Sequence, residues 1–135
     1  MGNRVRHFNK QNKAKGYAKN KKMNDETYAL RRKVIEVIYE AKKRVSLPRI
    51  DVRITDVDHK ALGWAYIGQD IVYMPEQMFT NPRFKTYFKE VVLHEIVHAV
   101  TGFEHDDKCP LMSPSIGAKP MTETEMWMHF EKYFK

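Results

Sequence analysis

Cysteine is almost missing from this sequence. Cys109 stands alone, so no internal disulfide can staple the chain, and a reducing compartment fits it best. No apolar run approaches the roughly 20 residues that a membrane-spanning helix needs, which excludes a membrane partner of that kind. The first residues, Met1-Gly2-Asn3-Arg4-Val5-Arg6-His7, carry no apolar segment after their basic residues, so a secretory leader is not expected and the expected location is cytoplasmic. Arg6 occupies the position where a myristoylation signal needs Ser or Thr. Acidic residues are missing from positions 1 to 24, a stretch that holds Arg4, Arg6, Lys10, Lys13, Lys15, Lys19, Lys21 and Lys22. The chain's formal net charge is +7; that arm accounts for +8 of it and leaves −1 for the rest.

What remains is enough for one domain. With 135 residues, 42% hydrophobic and 30% charged, the chain can bury a single core but not two. The expected division is a basic, flexible arm over 1–24 and one catalytic domain over 25–135. The arm lacks the apolar surface to offset its ordering entropy. It reads either as a solubilising tail or as a docking element for nucleic acid or an acidic partner, weakened by salt.

Apolar residues at Tyr28, Leu30, Val34, Ile35, Val37, Ile38 and Ala41 recur at helical spacing and predict a helix over about Asp25 to Arg44. Ser46-Leu47-Pro48 ends it. Ile50, Val52 and Ile54 alternate with polar neighbours, as in a half-buried strand. Leu62 to Ile67 and Ile71 to Met74 flank Gly68-Gln69-Asp70 and read as a hairpin. Asn81 as cap with Pro82 behind it predicts a long helix to about Thr101, closed by Gly102. Two prolines make Cys109 to Pro114 irregular. Thr122 and Glu125 form a capping-box pattern before a final helix carrying Met126, Trp127, Phe130 and Phe134.

The chemistry concentrates in His94-Glu95-Ile96-Val97-His98. Four residues make slightly more than one helical turn, so the two imidazoles project from one face and can share an ion. Zinc accepts neutral imidazole nitrogen, and a catalytic site leaves a position for water. Glu95 flanks the first ligand and is the candidate general base for a metal-bound water. Around these residues Val91, Val92, Leu93, Ile96, Val97, Ala99 and Val100 mark a buried helix, and buried His and Glu require partners. A third histidine, His105, follows within reach.

His94-Glu95-x-x-His98-x-x-x-Gly102-x-x-His105, followed by Leu111-Met112-Ser113-Pro114, resembles the metzincin zinc peptidases. The resemblance covers residues 94 to 114. It implies an α+β, zincin-like fold: N-terminal helix, small mixed sheet with a hairpin, active-site helix, Met-turn and C-terminal helix. It also implies a zinc ion held by His94, His98 and His105, with Met112 as the floor methionine, and hydrolysis of a protein or peptide substrate with Glu95 as catalytic residue. The family places its glycine and third ligand one residue earlier. In strict register the third-ligand position here falls on Glu104, and Asp106 stands close by; imidazole is the family's usual choice and favours His105. Archaemetzincins carry a cysteine directly after the third histidine, where this chain has Asp106. Cys109 reads as a small loop residue, or as a thiolate capping the zinc.

Tyr66, Tyr73 and Tyr87 are available as oxyanion helpers but read equally as half-buried packing, and His7, His59 and His129 fit surface positions. Ile71 to Met74 is the candidate sheet edge for a substrate strand. Two other functions compete. The stretch from His98 to Asp106 is also similar to the metal motif of YbeY-like endoribonucleases, which carry glycine where Glu95 stands. The other alternative is a non-catalytic nucleic-acid-binding module with a structural zinc, which ordinarily needs four protein ligands. An arm that carries a peptidase to nucleic acid, as in SprT-like crosslink proteases, would join the two themes.

Overall fold

The computed structural model describes residues 25–55, 62–66 and 68–135. The basic arm, His7, His59 and Ile67 lie outside them. Among the described residues the chain is a mixed α+β fold with five α-helices and a three-stranded sheet. No helix among them is long and apolar enough to cross a membrane.

Helix α1 (Asp25–Lys42) buries Val34, Val37, Ile38 and Ala41, the i, i+3, i+4, i+7 stripe of an amphipathic helix. Asp25 and Glu26 in its first turn and Lys42 in its last complement the helix dipole. Strand β1 (Asp51–Thr55) then pairs in parallel with β3 (Ile71–Pro75), Val52 opposite Val72 and Ile54 opposite Met74. The short strand β2 (Trp64–Ala65) pairs antiparallel with β3, Trp64 opposite Tyr73. This is the expected hairpin, and its turn at Gly68 (φ 81°) is tied to the helix behind it by Gly68 N–H donating to Ala99 O at 3.2 Å.

The sheet order is β1-β3-β2. Ile71 to Met74 therefore lies in the centre of the sheet, and its expected role as an edge for substrate is corrected: both its sides are already paired. The alternation of β3 could not reveal this, because β1 and β3 have the same burial pattern.

Two one-turn helices follow, α2 (Gln77–Thr80) and α3 (Pro82–Lys85). Asn81 caps α3 as expected, its side chain accepting from Arg83 N–H. The helix does not run on to Thr101. It breaks at Thr86 and Tyr87, and α4 (Phe88–Thr101) starts afresh. Tyr87 is buried and donates its hydroxyl to Gly117 O at 2.8 Å, a tertiary demand that a straight helix need not meet.

Ten consecutive residues of α4, Glu90 to Ala99, are buried, as in a helix surrounded on all sides. It packs on α1, on β2 and β3, and on α5 (Glu123–Glu131). At Gly63 an added Cβ would meet Val91 Cγ1 at 3.0 Å and Met74 Sδ at 3.1 Å, so a larger residue there would press the hairpin and α4 apart by a few tenths of an ångström. Helix α5 opens with the capping box foreseen at Thr122 and Glu125 and contributes Met126, Trp127 and Phe130 to the core. On the surface Lys89 bridges Glu40 and Glu123, and Arg44 pairs with Glu131; exposed pairs of this kind are worth at most about 1 kcal/mol each.

Candidate metal centre

His94 and His98 come from the middle of α4, where burial leaves 3% and 0% of each exposed. Their Nδ1 atoms lie 2.6 Å from Leu111 O and 2.7 Å from Phe103 O. A carbonyl oxygen can only accept, so both Nδ1 atoms carry the proton and both Nε2 atoms present a lone pair. Such an outer brace is what fixes ring orientation at a metal-binding histidine. Burial, above all, pushes the His94 imidazolium well below its usual range and His98 to about 4. Both rings are thus neutral near pH 7, the form that binds a cation.

The two Nε2 atoms stand 3.1 Å apart. Facing lone pairs repel unless a proton or cation is shared between them, and two ligands of one tetrahedral zinc stand about 3.3 Å apart. His105 completes the group. Its ring lies 5.2 Å from that of His94 and 4.9 Å from that of His98, and one ligand atom from each of the three histidines falls within 4.8 Å of the others. The donor set fits a borderline-soft divalent ion.

Gly102 makes this reach possible. It ends α4 at φ 79°, its N–H donating to His98 O at 3.2 Å, and the chain turns back over the helix end. The loop is closed by Asp106 N–H donating to Met112 O at 2.9 Å. Gly102→Ala should cost about 1 kcal/mol, the penalty of a Cβ in the left-handed region, and should weaken metal binding together with stability. Urea midpoints with and without saturating zinc check this; a larger loss in the presence of zinc is expected.

The competitors for the third position are placed elsewhere. The Asp106 carboxylate accepts Lys108 N–H at 2.9 Å and closes its own turn. Glu104 is exposed and is not part of the histidine group. Cys109 is buried with its sulfur 3.8 Å from His129 Nδ1 and is likewise outside that group. Of the three tyrosines, Tyr87 is committed to Gly117, while Tyr73 stacks on Trp64 at 5.3 Å and meets Tyr66 edge-on at 5.8 Å.

Glu95 is completely buried one residue along from His94, and burial pushes its carboxyl well above the usual range. Met112 is also fully buried, and the residue before it braces His94. Sequence reasoning missed the two carbonyl braces, since any residue supplies a carbonyl. It also missed Glu90, 6% exposed and one turn before His94; the i−4 spacing on a ligand-bearing helix face was the available signal.

Comparison of this chain with known protein families, with curated proteins and with solved structures finds no match. The functional reading therefore rests on the chemistry of the site.

Proposed function

We propose that this chain is a zinc-dependent metallopeptidase with a zincin-like fold, acting on a protein or peptide substrate. The observation that carries the reading is the convergence of His94, His98 and His105, two of them braced through Nδ1 so that Nε2 faces the shared centre. Three protein ligands suit a catalytic zinc, whereas a structural one takes four.

In this reading the three imidazoles hold the ion. Zinc, when bound, polarises the scissile carbonyl and acidifies water. Glu95 takes the proton of the attacking water and returns it to the leaving amine. Burial alone favours the protonated acid, and a cation held by the histidines would favour the carboxylate that acts as base. The loop that carries Met112 positions His94 through Leu111 O, and the αL turn at Gly102 positions His105.

A carboxylate beside the ligands is what favours peptide hydrolysis over RNA cleavage. The two are separated by incubating the zinc-loaded protein with casein and with structured RNA, with and without a chelator. Chelator-sensitive casein cleavage is expected. Cleavage confined to RNA would replace this reading by the endoribonuclease one, and inertness toward both, with zinc bound, would point to a binding module.

A further inference from the structure

A second buried carboxylate lies in the same neighbourhood and takes no part in holding the ion. Glu90 is 6% exposed and faces a cleft of about 270 Å³ between the first turns of α4 and the chain from Pro110 to Met121. A second, much smaller space of about 10 Å³ shares Glu90, Pro110 and Ile116 with that cleft and is lined by His94 and Leu111 as well, so Glu90 stands between the cleft and the first of the three histidines.

The cleft is built rather than incidental. Its outer wall is fastened to the start of α4 by Tyr87 hydroxyl to Gly117 O at 2.8 Å, Met121 N–H to Glu90 Oε1 at 3.0 Å, and Lys89 to Glu123 at 3.0 Å. Preformed clefts with a few placed polar groups are the usual form of a ligand site. The other charged groups of the lining, Asp107, Lys108 and Lys119, are exposed at the rim. Their fields are screened by solvent and salt, whereas Glu90 acts from inside.

The geometry points to Glu90 as the specificity-determining residue of a substrate side-chain pocket beside His94, one that selects a basic residue, lysine or arginine, next to the scissile bond. This rests on the peptidase reading. Glu90 accepts a backbone N–H from Met121 through Oε1, and burial pushes its carboxyl above the usual range. An incoming ammonium or guanidinium adds a charge-assisted hydrogen bond to that carboxylate, among the stronger polar contacts a side chain can make. An apolar side chain leaves the carboxylate as it was, and an acidic one adds repulsion. Pro110 and Ile116 in the pocket lining suit an aliphatic stem.

The test uses the full chain and the variant Glu90→Gln, whose amide oxygen still accepts Met121 N–H and so keeps the wall fastened. First, the zinc-loaded proteins digest a mixed peptide library and the cut sites are mapped by mass spectrometry. Wild type should show lysine and arginine enriched about tenfold or more over leucine at one position flanking the cut, and Glu90→Gln should lose that enrichment. Second, metal-free protein, which cannot turn over, is titrated with blocked arginine, leucine and glutamate peptides and followed by NMR. Arginine should perturb the cleft in wild type and not in the variant. No basic enrichment, enrichment that survives in Glu90→Gln, or a preference for acidic residues set by Lys108 and Lys119 would each overturn the proposal. If arginine binds through Glu90 but no peptide is ever cut, the pocket stands and the peptidase reading falls; if neither binding nor cutting occurs, both fall.

Discussion

Glu95→Gln is expected to slow peptide hydrolysis by roughly 10²- to 10⁴-fold, the usual contribution of a positioned general base, while the protein still takes up one zinc. The substitution changes shape very little. Glu95 is completely buried within the run of buried residues on α4, so a smaller side chain would leave a cavity and confuse a chemical loss with a structural one. Glutamine fills the same space and cannot take a proton from water. Zinc content, thermal midpoint and casein hydrolysis measured on one preparation decide the matter. Normal zinc and midpoint with lost hydrolysis is the expected combination. Hydrolysis within a few-fold of wild type would remove Glu95 from the mechanism and leave the three histidines without a general base.

The second large effect is expected at the metal itself. His105→Ala should weaken zinc binding by more than about 100-fold, since even the loss of an outer brace costs 10- to 100-fold. Glu104→Ala and Asp106→Ala should stay within a few-fold of wild type. His105 alone of the three belongs to the group with His94 and His98, and the Asp106 carboxylate is already engaged with Lys108 N–H. Competition against a chromogenic chelator gives the affinities. Retention of tight zinc by His105→Ala, with loss in either neighbour, would hand the third position to a carboxylate. Because His105 is only half-buried, its truncation should cost little stability in the metal-free state, so folding and metal binding can be read separately.

Much of this centre was legible in the sequence because its signals are local. The i, i+4 histidines need only a helix, and the buried run from Val91 to Val100 announces one. Gly102 declared the αL turn it makes, and Thr122 with Glu125 declared the capping box. The misreadings all depend on partners far away in the chain. Nothing near Thr86 and Tyr87 stops a helix; the break accompanies the Tyr87 hydroxyl bond to Gly117, 30 residues on. The central position of β3 depends on a parallel pairing with β1 across the intervening hairpin, which alternation within either strand cannot encode. Glu90 was not singled out in the sequence, where it falls inside the helix expected from Pro82 to Thr101. Its burial comes with the Pro110 to Met121 segment, whose Met121 N–H donates to it.

The three histidines, and the two carbonyls that brace His94 and His98, all fall between His94 and Leu111. Gathering donors so near one another along the chain requires closing only short loops, and loop-closure entropy grows with the logarithm of loop length. The candidate centre is thus a local feature of the chain: cutting or lengthening the loops outside residues 94 to 111 leaves its donors on one continuous segment. Helix α4 links that segment to the rest of the fold, since it carries His94 and His98 and also packs on β2 and β3.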